Sequence, residues 1–288
     1  MVFLVEGAAP NRRGLTGSWS VFGAVAGMLL GSAVGVLLTS VLSPGAVYTW
    51  GWRLPFLVGF AVGLAGLYIR RHLPEVQVQA VDATLTTSPV LEAFRTEWRA
   101  ILRVAGFNVL NAVGFSMIFV YVATYLRHVV HIDTAQALDI NTLTMVMLLL
   151  LIPAAGALSD RMGHKPRRIV AALGTLVLAW PCFWMRHHPH VAVILFGQMG
   201  FAVLIGLFGG VGPATRVEAL PARVRCSALS IGYNLCFWVL GGTTPLVVTY
   251  LIARSHDDLS PAFYLIAAAT LSLAVILRLH ETATVPLR

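Results

Sequence analysis

Several polar side chains interrupt otherwise apolar stretches of this sequence: Asn108, Asn111, Tyr121, Tyr125, Gln198, Tyr233 and Asn234. Amides and phenols in such settings either line a path for a polar solute or act as hydrogen-bonding glue between helices. The acid–base supply is placed differently. The twelve carboxylates, at positions 6, 75, 82, 92, 97, 133, 139, 160, 218, 257, 258 and 281, fall between or at the ends of the apolar runs. None stands in the middle of a run, where a titratable acid would carry protons through a low-dielectric region. Two histidine sets, His128 with His131 and His187 with His188 and His190, have no Cys, Asp or Glu at a spacing that completes a metal site, and read as solvated turns. No nucleophile–base pair, phosphate-binding loop or cofactor motif is present, so neither an enzyme nor a cofactor or metal is expected.

The elements that position these residues follow from composition. The 288 residues are 58% hydrophobic and 11% charged, with a mean hydropathy of +0.81. A soluble domain is about 25% charged, so a soluble enzyme, a disordered chain and a disulfide scaffold are excluded, and the lipid bilayer is the partner. A spanning helix needs about 20 mostly apolar residues. Eight segments qualify, at 17–42, 53–70, 104–126, 139–158, 168–185, 191–214, 227–252 and 261–279. Turn chemistry separates them, including Ser43-Pro44-Gly45, His188-Pro189 and Ser260-Pro261. No stretch alternates in polarity as a membrane β-strand does. The fold class is an all-α polytopic membrane helix bundle.

With the N-terminus cytoplasmic, sixteen of the 20 Lys and Arg fall on the inner side, Arg168 and Arg216 among them, leaving Arg53, Arg127, Arg186 and Arg254 outside. The positive-inside rule therefore places both termini in the cytoplasm, in a cytoplasmic (inner) membrane. It also accounts for the net charge of +8 without nucleic acid. Cys182 and Cys236 lie in spans and Cys226 at an inner edge, which implies no disulfide framework. Residues 1–9 are too short for a cleavable signal, and Arg12-Arg13 follow them rather than precede them.

One connection is long. Residues 71–103 hold a Thr/Ser-rich stretch and then Leu91, Phe94, Trp98, Ile101 and Leu102 at helical spacing, opposite Glu92, Arg95 and Arg99. That pattern fits an amphipathic interfacial helix or an inner extension of the third span. The division is 1–70, a linker at 71–103, and 104–288: two spans, then six. The first span carries Gly23, Gly27, Gly31 and Gly35 at four-residue spacing, a small-residue stripe for close helix packing against the fourth span or for dimerisation. Oligomeric state stays open.

Gly156-Ala157-Leu158-Ser159-Asp160-Arg161-Met162-Gly163-His164-Lys165-Pro166-Arg167-Arg168 resembles the inner-loop motif of the major facilitator superfamily, in the place of its second copy. Trp50-Gly51-Trp52-Arg53 with Arg70-Arg71-His72-Leu73-Pro74-Glu75 resembles the metabolite:proton symporter branch. So do Glu218-Ala219-Leu220-Pro221-Ala222-Arg223-Val224-Arg225 and Gly241-Gly242-Thr243-Thr244-Pro245. The opening Glu6-Gly7-Ala8-Ala9-Pro10-Asn11-Arg12-Arg13-Gly14 resembles the loop after the family's fourth span. Two six-helix bundles lacking the first four helices are thereby implied.

The resemblance implies a gate built on Gly156, Asp160, Arg161, Gly163, Lys165 and Arg167, with Glu218 and Arg223 as a partner pair. A carboxylate at a helix end favours a facing helix N-terminus and nearby guanidinium groups, which is how such a loop holds one conformation. The implied function is proton-coupled symport of a small organic acid or compatible solute. The coupling carboxylate is expected in the missing first span, so the chain is not expected to transport alone. A non-transporting scaffold, or a half-carrier that associates with another polypeptide, is the alternative. The family's antiporter motif is absent, which favours symport or uniport.

Overall fold

The computed structural model describes residues 1–72, 94–279 and 281. After a short α1 (Val2–Glu6) and a 3₁₀ turn at Pro10–Arg12, α2 runs over Arg13–Val41. The Ser43 hydroxyl accepts from the Ala46 N–H and Pro44 opens α3 (Pro44–Thr49), so the Ser-Pro-Gly break acts through an N-cap. α4 covers Leu54–His72.

The third span is α5 (Trp98–Phe115), a π-turn at Ser116–Val120 and α6 (Val122–His128). Trp98 to Arg103 continue into this span as one helix, with Ile101 and Val104 buried and Trp98 and Leu102 exposed. Leu91 and Glu92 lie outside the described residues. α7 (Thr134–Met162) is capped by Asp133, whose carboxylate accepts from the Ala135 N–H. Gly163, at φ +90°, makes the turn into α8 (His164–Met185), a conformation that favours glycine.

α9 (Val191–Gly210) continues into α10 (Gly212–Glu218). α11 (Arg225–Cys236) passes through a π-turn at Phe237–Gly241 into α12 (Gly242–Ser255), and α13 (Ser260–Leu277) ends the bundle. Among the described residues eight helical stretches are long and apolar enough to cross a membrane, matching the eight read from the sequence with ends shifted by a few residues.

Two compact units result: Met1–Phe22 with the described part of Thr84–Arg288, and the described part of Gly23–Ala83. In the first, α9 packs on α7 and α8, and α13 on α8 and α5, while α11 lies along α5. Lipid gives helices no hydrophobic reason to associate, so close backbone approach carries the packing. The glycines of α9 serve that purpose. A Cβ at Gly210 would stand 2.8 Å from the Ile152 carbonyl oxygen, and one at Gly197 3.0 Å from that of Cys182. The second unit holds the rest of α2 with α3 and α4, and almost nothing in its two spans is buried.

Candidate functional site

Asp160 is the centre of the first cluster. It stands in the last turn of α7, half-buried, and accepts from the backbone N–H groups of Gly14 at 2.7 Å and Leu15 at 2.9 Å. These are unsatisfied donors of the first turn of α2, so one carboxylate meets both the orphan N–H groups and the positive end of the helix. The approach requires two glycines. A Cβ at Gly14 would fall 2.7 Å from the Gly156 carbonyl oxygen, and one at Gly156 2.6 Å from that of Gly14.

Ion pairs extend this clasp. Arg225 Nη1 pairs with Glu6 Oε1 at the end of α1. The buried Glu218 carboxylate lies 3.6 Å from Arg13 and 3.5 Å from His164. Glu281 accepts from the N–H groups of His164 (3.2 Å) and Lys165 (2.9 Å), capping α8, and Lys165 Nζ donates to the Leu277 and Leu279 carbonyls. Arg167 is buried and donates to the Ala155 carbonyl at 2.7 Å, whereas Arg161 is exposed. The side chain of Arg223, taken from the sequence as the partner of Glu218, lies outside the described residues.

The in-span polar residues do not gather into one cavity. Asn108 is fully buried; its amide donates to the Val104 carbonyl at 2.7 Å and its oxygen accepts from Arg216 Nε at 3.0 Å. The ring of Tyr233 lies 4.6 Å from the Arg216 guanidinium carbon. Asn111 is half-buried, one turn further along α5, beside Gly209.

Toward the other end of the bundle, Gln198 accepts from Arg186 and donates to the Ile118 carbonyl at 2.6 Å. Tyr125 donates to the Asp258 carbonyl at 2.7 Å and meets His187 at 3.2 Å. Tyr121 pairs with Thr249 at 2.9 Å. Asn234 belongs to the Arg216 end with its neighbour Tyr233; it is exposed and donates to its own helix at Ser230. At 1.5 Å per residue, Asn108 and Tyr125 stand roughly 25 Å apart along their helix. The two polar groups therefore occupy opposite ends of the bundle.

The glycine stripe lies in the second unit. A Cβ at Gly23, Gly27, Gly31 or Gly35 meets nothing within 4 Å among the described residues. Close approach to the fourth span comes earlier in α2, at Gly14 and Ser18 against Gly156.

Six arginines assigned from the sequence to loops are buried, and three of them, Arg168, Arg186 and Arg216, at 1%, 1% and 2% exposure, lie over aromatic rings. Arg186 follows the last residue of α8 and stacks on Phe183 and Phe201 at 4.5 and 4.7 Å. Arg168 lies between Phe107 and Phe208, at 4.5 and 5.0 Å from their ring centres, and none of its guanidinium nitrogens meets a hydrogen-bond acceptor among the described residues. Each ring contributes up to about 2 kcal/mol, against several kcal/mol for burying an ion. The available signal for Arg216 was its place two residues beyond the sixth apolar run, with Glu218 following.

The Major Facilitator Superfamily profile matches the chain twice, over residues 1–216 and 104–287, as suits a fold made of repeats. A glycine betaine/proline/ectoine/pipecolic acid transporter, OusA of Dickeya dadantii, is 31% identical over 100% of this chain and 60% of its own length. The proline/betaine transporter of Escherichia coli K12 gives the same figures, 31%, 100% and 60%. The citrate-proton symporter of Klebsiella pneumoniae is 29% identical over 100% of this chain and 65% of its own. The solved structure of the proton:xylose symporter XylE bound to 6-bromo-6-deoxy-D-glucose has a TM-score of 0.77 at 18% identity, covering 99% of this chain and 68% of that one. The chain thus spans about 60% of the length of the first two relatives. It is a multi-pass membrane protein and belongs to the major facilitator superfamily, among the relatives of its metabolite:proton symporters.

Proposed function

We propose that the chain is the greater part of a proton-coupled symporter that carries a small carboxylate-bearing solute, an organic acid or compatible solute, across the cytoplasmic membrane. Residues 1–70 act as the last two helices of the first bundle, 71–103 as the cytoplasmic linker and 104–288 as the complete second bundle, with both termini cytoplasmic. The observation that carries the reading is the clasp at Asp160. It joins two parts of the chain far apart in sequence through hydrogen bonds and ion pairs, contacts that break and re-form as a gate requires.

In this reading Gly156, Asp160, Arg161, Gly163, Lys165, Arg167, Glu218 and Arg223 form the cytoplasmic gate. Asn108, Asn111, Tyr233 and Asn234 belong to the solute path at the inner end, and Tyr121, Tyr125 and Gln198 toward the outer end. The solute class comes from the named cargo of the relatives, betaine, proline and citrate, each of which carries a carboxylate.

Proton coupling needs an acid within a span. The described acids stand at span ends, Glu218 being the last residue of α10. The coupling acid therefore belongs to helices outside these eight, and the chain alone is incompetent for uptake. Uptake of labelled glycine betaine, proline and citrate tests this in cells expressing the 288 residues alone, and in cells expressing them with helices restored from a betaine-carrying relative. The expected result is uptake only in the second case, abolished by an uncoupler. Uncoupler-sensitive uptake by the chain alone overturns the incompetence, and no uptake in either case overturns the transport reading.

A second reading, association with another membrane polypeptide without transport, is favoured by the four-residue spacing of Gly23, Gly27, Gly31 and Gly35. Crosslinking from that face to a partner in cells that show no uptake would support it.

A further inference from the structure

We propose that Arg168 and Arg216 form a binding site for a carboxylate, and that it holds the carboxylate of the transported solute at the Asp160 end of the bundle. The identity of the ligand rests on the symporter reading; the existence of the site rests on geometry. Both guanidinium groups are buried, and both reach the same place. An Nη2 of Arg216 lies 2.5 Å, and that of Arg168 3.3 Å, from the position a Cβ on Gly212 would take. Glycine at 212 is what lets the two groups converge there, because a Cβ would collide with the Arg216 fork.

Neither cation pairs with a carboxylate among the described residues. Arg216 gives its Nε to the Asn108 oxygen and turns Nη1 toward the Met1 sulfur at 3.7 Å, a weak acceptor. Arg168 has no acceptor among the described residues. Two guanidinium groups that converge in a low-dielectric interior repel each other, and a carboxylate between them removes the repulsion while accepting from both forks. The rings of Phe107 and Phe208 cover Arg168 and that of Tyr233 covers Arg216, so the ligand is left the N–H edges.

Access follows from what surrounds the pair. A narrow crevice lined by His164, Lys165, Thr215, Ile276, Leu279 and Glu281 reaches Arg168. On the side of Arg216, α1 packs against α10. The Glu6–Arg225 pair and the Asp160 bonds hold that part of the chain in place. Opening the clasp would uncover Arg216, which makes this the last station of the solute before release.

The test uses the full 288-residue chain in lipid nanodiscs, its unfolding temperature followed by tryptophan fluorescence. Citrate and glycine betaine should raise that temperature, and choline, which keeps the quaternary ammonium but lacks the carboxylate, should not. R168Q and R216Q should abolish the rise. R168K keeps the charge but loses the fork, and should weaken binding about tenfold or more. Without ligand, R168Q should melt no lower than the parent, because it removes an uncompensated buried charge.

The proposal is overturned if no carboxylate shifts the parent, or if R168Q lowers the unliganded melting temperature and leaves the citrate shift intact. It is also overturned if inorganic phosphate acts as well as citrate and R168Q abolishes both, which would make this a phosphate or lipid-headgroup site. A carboxylate shift without uptake in the restored carrier keeps the site and sinks the transport reading. Coupled uptake without any shift does the reverse.

Discussion

The carboxylate of Asp160 lies 2.7 Å from the backbone nitrogen of Gly14, 146 positions earlier in the chain. Its second oxygen takes the next N–H, that of Leu15, at 2.9 Å. A single side chain thus caps a helix to which it does not belong, and the cap exists only while the two parts of the chain are together.

Removing the charge while keeping the shape isolates this contact. Asp160→Asn retains one acceptor and replaces the other with a donor facing an N–H group. A hydrogen bond to a charged group contributes about 1.5–3 kcal/mol, so D160N should destabilise the chain by about that much, and D160A by at least as much. Thermal unfolding in nanodiscs reads the loss. An unchanged D160N would mean that the carboxylate does not hold α2 in solution.

The glycines near that contact divide sharply in what they tolerate. Gly14→Ala places a methyl 2.2 Å from the Ser159 hydroxyl and 2.7 Å from the Gly156 carbonyl oxygen, and the backbone oxygen cannot swing aside. A cost of about 1–3 kcal/mol is expected from such overpacking. Gly23→Ala meets nothing within 4 Å among the described residues. It should be neutral or stabilising by up to about 1 kcal/mol through helix propensity. Equal destabilisation by the two substitutions would show that the stripe is engaged by another helix.

The bundle was legible because spanning helices announce themselves in a single dimension: apolar length, interrupted by Ser43-Pro44 or Ser260-Pro261. The helix-to-helix contacts were less so. Four glycines at perfect spacing mark residues 23–35, while the tight crossing at Gly14 and Ser18 against Gly156 carries no such periodic signal. Spacing identifies a face and says nothing of which neighbour it meets. The buried arginines were missed for a related reason. Near a span end, a charge that snorkels to water and a charge folded inward over aromatic rings have the same sequence. Only the positions of Phe107, Phe208 and Tyr233, drawn from three helices, separate the two. Asn108 and Tyr233 were picked out as polar residues in spans, and what joins them is Arg216.

Sidedness can be read from the chain's own cysteines. Cys226 is exposed, next to Arg225 of the clasp, while Cys182 and Cys236 are buried. A membrane-impermeant maleimide should label the protein in inverted vesicles and leave it unlabelled in intact cells, with labelling lost in C226S. Labelling from the outside of intact cells would place the Asp160 end outside and reverse the proposed orientation of both termini.

At the opposite end, the contact between Gln198 and Arg186 makes an energetic prediction of its own. Arg186 is buried against Phe183 and Phe201, and the Gln198 oxygen is the acceptor of its Nη2. The same amide donates to the Ile118 carbonyl, so it ties the third span to the sixth as well as to the end of the fifth. Gln198→Leu preserves the bulk but strands a buried guanidinium and a carbonyl together. Leaving a buried polar partner unsatisfied costs about 1–3 kcal/mol, and more for a charged one, so Q198L should destabilise the chain by about 3 kcal/mol. Gln198→Glu should behave differently. It gives up the bond to Ile118 but places a carboxylate against the buried cation, and the charge-assisted pair offsets the loss. Thermal unfolding of the two variants side by side decides the matter: Q198E should melt near the parent and well above Q198L. If the two melt together, the amide serves the Ile118 carbonyl alone and Arg186 is held by its rings.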